Sequence, residues 1–105
     1  MAYAVYTTET FEREISKLDS SDKEIIEKLF RQLKENPYVG DMLRYKFFRE
    51  KRIREKRVYY LVYDDFSIVL VVAFGGKKAQ QKTIEEIIKL FPEYEKYAEI
   101  LYKNS

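Results

Sequence analysis

The spacing of apolar residues changes near residue 40, and each half of the chain predicts a different kind of secondary structure. The first half opens with an aromatic and β-branched run over residues 3–7, which is typical of a strand. Apolar residues then recur every three to four positions in two blocks, as they do along one face of an amphipathic helix. This spacing predicts a first helix over residues 9–18 and a second helix over residues 21–35.

Polar residues and a proline mark the ends of both predicted helices. Thr8 is expected to cap the first helix, because its hydroxyl can accept a hydrogen bond from an unpaired amide of the first turn. Ser21 and Glu24 have the spacing of a capping box at the start of the second helix. Pro37 disfavours helical geometry at the residue before it, so the second helix should end near Glu35. The two helices are therefore predicted to form a hairpin.

The second half of the chain predicts strands and then helix again. Tyr45–Ile53 and Lys56–Tyr63 are extended-looking runs separated by Arg54 and Glu55, which we interpret as a two-residue hairpin turn. Residues 66–74 form a third run that is almost continuously apolar, as a buried central strand would be. Helical spacing resumes after this run and continues to residue 101.

These elements predict the fold class. Their order is β-α-α-β-β-β-α, with one C-terminal helix or two. Helices that precede hairpin-linked strands are typical of α+β proteins. We expect the N-terminal helical hairpin to pack on one face of a mostly antiparallel four-stranded sheet. A chain of 105 residues leaves room for one core, so residues 1–105 are predicted to be a single domain.

Composition excludes several kinds of chemistry. The sequence contains no cysteine and no histidine, which removes Ser-His-Asp hydrolases, Cys-His proteases and zinc enzymes. We therefore expect no metal and no other cofactor. The sequence shows neither a secretory signal nor an apolar run that could span a bilayer, so the expected location is the cytoplasm and no membrane partner is expected.

Positive charge is concentrated in one segment. Residues 43–57 hold eight basic and two acidic side chains, a net charge of +6, although the whole chain carries only +2. The remainder of the chain is therefore acidic, with a net charge of −4. Such asymmetry indicates an anionic partner facing one side of the molecule.

The proposed hairpin turn would concentrate these cations further. With a turn of two residues, Arg52 lies directly opposite Arg57, and two like charges in that arrangement destabilise a sheet unless an anion relieves them. Arg49 and Lys51 would point to the other face. The face of Arg52 and Arg57 would also hold Lys46, Glu50, Tyr59 and Tyr63. A charge-rich hairpin can also be merely a solvated edge that resists aggregation.

A second basic segment follows the last predicted strand. Gly75 and Gly76 lead into Lys77 and Lys78, where backbone amides could approach a phosphate while the lysines add charge. The spacing is not that of a P-loop. The alternative interpretation is a strand exit followed by a solvated helix start.

The order of elements and three motifs resemble the RelE/ParE superfamily of toxins, RelE-type members in particular. The motifs are Asn36-Pro37, the run 41–44 (Asp-Met-Leu-Arg), and the run 56–64 that begins Lys-Arg-Val-Tyr-Tyr. The similarity covers residues 3–88. It implies a cytoplasmic toxin of a type II toxin–antitoxin pair, which enters the ribosomal A site and cleaves mRNA. It also implies an acidic antitoxin as partner and leaves the oligomeric state open.

The resemblance assigns roles to several cations. The key active-site arginine of the family falls on Arg57, and the arginine of its Gly-Lys-Arg motif falls on Lys78. Ile84 occupies the position at which the best-studied members have a functional tyrosine. The basic residues that the family carries on the preceding strand fall among Arg49, Lys51, Arg52 and Arg54.

A mechanism compatible with this composition is attack of an RNA 2′-hydroxyl on the adjacent phosphate. It needs a base, an acid and cations that stabilise the phosphate, with a lysine as base and tyrosines that stack on a base or donate a proton. The candidate catalytic residues are Arg52, Arg57, Lys51 and Lys78, and the candidate RNA-binding residues are Lys46, Arg49, Arg54, Lys56, Lys77 and Tyr59. The alternatives are a non-catalytic gyrase inhibitor of ParE type and a nucleic-acid-binding module without nuclease activity.

Overall fold

The computed structural model of this chain describes residues 2–105, which form one mixed sheet with helices on both faces. The strand order is β1-β5-β4-β3-β2. β1 runs parallel to β5, and every other neighbouring pair is antiparallel. The strands are β1 (Ala4–Thr7), β2 (Asp41–Leu43), β3 (Tyr45–Ile53), β4 (Lys56–Tyr63) and β5 (Ile68–Gly76).

The α+β class and the mostly antiparallel sheet are confirmed, but the predicted number of four strands is wrong. The fifth strand is β2, which has only three residues and pairs with the first residue and the middle of β3 through an irregular register. Arg44, between the two strands, has a φ of 65°. A strand this short shows no alternation of its own, so the sequence pattern does not reveal it.

Four helices cover the sheet. They are α1 (Glu9–Ile15), α2 (Ser20–Glu35), α3 (Gln80–Lys89) and α4 (Phe91–Lys103). Thr8 caps α1 as predicted, and its hydroxyl accepts from the amide of Phe11 at 3.2 Å. The predicted capping box at the start of α2 is wrong, because Asp19 is the cap and accepts from the amide of Asp22 at 2.9 Å. Among residues 2–105, no helix combines the length and apolarity that crossing a membrane requires.

The sheet separates two apolar cores. The N-terminal hairpin packs on one face, where Phe11 and Leu33 meet Tyr60 and Val71. The C-terminal helices pack on the other face, where Ile84 and Ile87 of α3 meet side chains such as Phe48. Strands β4 and β5 are thus buried on both sides, which explains the nearly unbroken apolar run of β5.

Two short turns flank β4. Ile53 pairs with Lys56, so Arg54 and Glu55 form the predicted two-residue turn, with Arg54 at a φ of 56°. At the other end, Asp64–Phe66 forms a single 3-10 turn, and the predicted third strand therefore begins at Ile68 rather than Phe66. The hairpin register is as expected from the sequence.

Candidate nucleic-acid interface

An open cavity of about 990 Å³ lies where the β3–β4 turn meets the end of β5. We call it the cationic cavity. Six of its nine lining residues are basic and one is acidic. The lining residues are Arg52, Arg54, Glu55, Lys56, Arg57, Gly76, Lys77, Lys78 and Ala79.

The sheet register brings these cations together. Arg52 pairs with Arg57 across the hairpin, as the turn length predicts. Arg57 pairs in turn with Gly75 of β5, because β5 runs antiparallel to β4 and ends beside its start. Lys77 and Lys78 follow directly in a 3-10 turn. Two basic segments that are 20 residues apart along the chain therefore line one surface.

Arg57 is buried at the floor of the cationic cavity, with 5% of its surface exposed. Its Nε lies 3.4 Å from Oε2 of Glu50, an ionic contact whose geometry is not that of an aligned hydrogen bond. Oε1 of Glu50 accepts a hydrogen bond of 3.0 Å from the side-chain amide of Gln80. Glu50 thus relieves the repulsion between Arg57 and Arg52 from within the protein.

Sequence reasoning placed Glu50 on this face but gave it no role, and it missed Gln80. The signal for Glu50 was available, because it lies two residues before Arg52 on the same strand and pairs with Tyr59. Gln80 stands at the start of α3 and has no pattern that would single it out.

Tyr59 lies on the predicted face of the sheet, where it pairs with Glu50, but it is not accessible. Its side chain is fully buried in the second core, so its ring is not available to stack on a base. Burial raises the pKa of its hydroxyl to about 12, with a further increase from Glu50 and an opposing effect of Arg57. The hydroxyl is therefore protonated at neutral pH and cannot act as a base.

Backbone amides add to the positive surface. The 3-10 turn Lys77–Ala79 and helix α3 both begin without a side-chain cap. The first N–H groups of a helical segment have no partner within it, and they favour an anion. Gly75 pairs with Arg57, and the space that a side chain would fill at this glycine is open. The approach of these amides to a phosphate stays a prediction.

Three predicted cations do not reach the cationic cavity. Lys51 pairs with Val58, whose side chain faces the core beneath the N-terminal helical hairpin, so Lys51 lies on that face of the sheet. Arg49 also lies there, as predicted, and its guanidinium stands 5.1 Å from the ring of Tyr38. Lys46 stands 5.3 Å from the same ring, so its predicted placement on the face of Arg52 is wrong.

A break in the alternation of β3 explains the position of Lys46. The consecutive residues Phe47 and Phe48 both contact Phe91 of α4, with ring centroids 5.1 and 5.5 Å away. Two neighbouring side chains on one face shift the alternation by one residue, so Lys46 and Arg49 share the opposite face.

Arg54 is a second cation of the cationic cavity, besides Arg57, that has a carboxylate partner. Nε of Arg54 lies 3.2 Å from Oδ1 of Asp22 on α2, although the arginine side chain is 62% exposed. An exposed ion pair of this kind contributes little to stability and is readily exchanged for another anion. The structure therefore brings together Arg52, Arg57 and Lys78 of the candidate catalytic residues, and Arg54, Lys56 and Lys77 of the candidate RNA-binding residues.

Comparisons with known proteins identify the fold. Neither a family model nor a curated protein matches this chain. A free double arginine-to-alanine variant of the Escherichia coli toxin RelE aligns with a TM-score of 0.73 and 23% identity, over 87% of this chain and 100% of that one. RelE in a RelBE toxin–antitoxin complex from Mycobacterium tuberculosis aligns with a TM-score of 0.63 and 25% identity, over 73% and 93%. An archaeal RelE–RelB complex from Pyrococcus horikoshii gives 0.62 and 16%, over 72% and 96%. The chain has the fold of RelE toxins, as the sequence resemblance implies.

Proposed function

We propose that this chain is the toxin of a type II toxin–antitoxin pair and a ribosome-dependent mRNA endoribonuclease of the cytoplasm. The observation that carries the proposal is the cationic cavity at one end of a RelE toxin fold. Six basic side chains around one concave surface suit a polyphosphate chain, because each phosphate that they contact releases bound counterions.

The proposed reaction is an internal transfer within RNA. The 2′-oxygen attacks the adjacent phosphorus, the bond from phosphorus to the 5′-oxygen breaks, and the products end in a 2′,3′-cyclic phosphate and a 5′-hydroxyl. Arg52 and Arg57 would stabilise the charge that collects on the phosphate oxygens, since a guanidinium remains charged and offers paired donors. The uncapped amides of Lys77–Ala79 would add to that stabilisation.

Two proton transfers remain to be assigned. Of the two lysines among the candidate catalytic residues, Lys78 lines the cationic cavity, while Lys51 lies on the other face of the sheet. Glu55 is a carboxylate in the same lining and is the second candidate. Without histidine the chemical step should be slow on free RNA. Precise positioning of the transcript by the ribosome would then supply much of the rate.

The same surface suits the proposed protein partner. The RelE neighbours from Mycobacterium tuberculosis and Pyrococcus horikoshii were solved with antitoxins. An acidic antitoxin that covers the cationic cavity would neutralise its charge and exclude RNA.

The test is cleavage of a transcript on translating ribosomes, mapped by the 5′ ends of the products. The double variant Arg52→Ala/Lys78→Ala removes two exposed cations and leaves the buried pair of Arg57 and Glu50 intact. We expect cleavage to fall by about 100-fold or more. Lys28→Ala, an exposed change on α2, is the matched control and should cleave normally. Cleavage by the double variant at the unmodified rate would contradict the proposal.

One observation favours a non-catalytic toxin as the second candidate. Ile84, at the position of the functional tyrosine in the best-studied RelE proteins, is 6% exposed and packs in the second core. No hydroxyl is present there. A DNA supercoiling assay with purified gyrase separates the candidates, because a ParE-type toxin would inhibit gyrase and leave the transcript intact.

A further inference from the structure

A chain of polar contacts joins three elements beneath the cationic cavity. Arg57 belongs to β4, Glu50 to β3 and Gln80 to α3. Nε of Arg57 faces Oε2 of Glu50 at 3.4 Å, and Oε1 of Glu50 accepts from Gln80 at 3.0 Å. The side chains of Arg57 and Glu50 are only 6% and 12% exposed. Glu50 therefore uses one oxygen toward the arginine and the other toward the helix.

This arrangement places a negative charge on one side of the guanidinium of Arg57. A guanidinium is a planar fork with five N–H donors, and Glu50 contacts it on the Nε side. Because Arg57 also lines the cationic cavity, its remaining donors are available on the cavity side. Gln80 follows the turn Lys77–Ala79 directly, so its hydrogen bond to Glu50 connects this turn of the cavity lining to strand β3.

Stability alone does not account for a buried ion pair at this place. Removing two charges from water costs about as much as their attraction returns, and apolar side chains of similar volume often replace such pairs without loss. A fixed direction for Arg57 is a property that an apolar pair could not provide.

We propose that Glu50 and Gln80 are positioning residues for Arg57, an inference that rests on the proposed function. Glu50 holds the Nε side of the guanidinium, and Gln80 holds the carboxylate of Glu50. Together they direct the free N–H groups of Arg57 toward a phosphate in the cationic cavity.

The proposal predicts opposite effects on binding and on turnover. The negative charge of Glu50 weakens the attraction of the cavity for any anion. The change Glu50→Gln should therefore tighten the binding of inorganic phosphate by roughly threefold or more. It should also slow cleavage, because a loosely oriented guanidinium stabilises the transition state less than a fixed one. Loss of the fold would weaken phosphate binding and slow cleavage. If Glu50 did no more than repel the anion, Glu50→Gln would tighten binding and speed cleavage.

The experiment compares Glu50→Gln and Gln80→Ala with two controls on the outer surface of α3. The controls are Gln81→Ala and Glu85→Gln, since the amide of Gln81 donates to the carboxylate of Glu85 at 3.3 Å away from the cavity. Three quantities are measured: the dissociation constant for inorganic phosphate, the exchange rate of the Arg57 Nε proton by NMR, and kcat and KM for ribosome-dependent cleavage.

We expect both variants to speed exchange of the Arg57 Nε proton and to lower kcat by about tenfold, with KM unchanged or lower. The controls should match the unmodified protein. Unchanged exchange in Gln80→Ala would overturn the proposal, and so would faster cleavage by Glu50→Gln. If Glu50→Gln fails to fold, Gln80→Ala, which changes no charge, decides the question alone.

The outcome is separable from that of the proposed function. If the unmodified protein cleaves no transcript, the endoribonuclease assignment fails. The proton exchange and the phosphate binding then still decide whether Glu50 and Gln80 orient Arg57 toward an anion.

Discussion

Arg57 carries a charge at a position that is almost closed to water. The sequence resemblance singles it out as the counterpart of the key arginine of the family, and the structure separates it from the other cations by its burial and by its contact with Glu50. Arg52, its partner across the hairpin, is exposed. Two arginines that are paired across the hairpin thus differ in their surroundings: Arg52 is open to solvent, and Arg57 is buried against Glu50.

Gly40 is a position at which the packing admits no side chain. Its amide donates to the hydroxyl of the buried Tyr60 at 3.0 Å. A Cβ at Gly40 would overlap the carbonyl oxygen of Glu50 and lie 2.7 Å from the Tyr60 hydroxyl. No side chain therefore fits between the loop after α2 and strand β3.

We predict that Gly40→Ala lowers the free energy of unfolding by about 2–3 kcal/mol, because the backbone or Tyr60 must shift to admit the methyl group. Urea denaturation at neutral pH measures the change. Gly75→Ala is the control, since nothing lies within 4 Å of a Cβ there, and it should change stability by less than about 0.5 kcal/mol. Equal stability of Gly40→Ala and the unmodified protein would show that this close approach is not required.

At the scale of elements, Asp64 in the turn after β4 accepts hydrogen bonds from two segments that are distant along the chain. Oδ1 of Asp64 accepts from the hydroxyl of Tyr3 at 2.7 Å, and Oδ2 accepts from Tyr38 at 2.6 Å. Tyr3 precedes β1, and Tyr38 lies in the loop between α2 and β2. The hydrogen bond from Tyr38, the hydrogen bond from Tyr3 and, more weakly, the charge of Lys46 lower the pKa of Asp64, while burial opposes them.

The hydrogen bonds of Tyr3 and Tyr38 to Asp64 predict a pH-dependent contribution to stability. A carboxyl whose pKa is lowered by folding stabilises the protein above its unfolded pKa of about 3.9, and the effect is lost as pH falls through the folded value. We expect Tyr3→Phe/Tyr38→Phe to be less stable by about 1 kcal/mol at pH 7 and to approach the unmodified protein below about pH 3. Urea denaturation at both pH values measures this difference.

Tyr97→Phe, a change on the exposed side of α4, is the control and should be neutral at both pH values. A destabilisation of Tyr3→Phe/Tyr38→Phe that is the same at pH 7 and pH 2.5 would show that the tyrosines act by packing and not through the Asp64 carboxylate.

At the scale of the whole molecule, charge is separated along β4. The cationic cavity lies at its start, and a groove lined by Asp64, Asp65, Glu95 and Glu99 lies at its end. Eight strand residues at about 3.3 Å each place the two regions about 25 Å apart. That distance exceeds the Debye length of about 8 Å at physiological salt, so the acidic end barely reduces attraction at the cavity.

We predict that binding to single-stranded RNA weakens steeply with salt. Lys78→Ala should reduce the magnitude of the slope of log K against log salt concentration by about 0.7, because one phosphate contact is lost. Fluorescence anisotropy over a salt series measures it. Lys28→Ala should leave the slope unchanged, and an equal fall for both variants would mean that affinity follows net charge and not the cavity.

Local patterns were sufficient for much of the fold and for part of the site. The bounds of β3 and β4 and the opposition of Arg52 and Arg57 follow from alternation and from the length of one turn, both of which are properties of a few consecutive residues. The cap at Asp19 was missed because the neighbouring Ser21 offers an equally good local alternative, and β2 was missed because three residues show no alternation. The position of Lys46 was missed because a packing contact of Phe47 and Phe48 breaks the alternation.

By itself the sequence determined the class of fold, the separation of charge and the absence of histidine and cysteine chemistry, since each of these depends on composition or on short-range period. Only the tertiary structure decided which cations share one cavity, that Tyr59 is inaccessible, and that Glu50 and Gln80 contact one another beneath Arg57. The physical reason is that side chains from β3, β4 and α3 meet only after both cores have packed, and the contacts of packing are made between residues far apart along the chain.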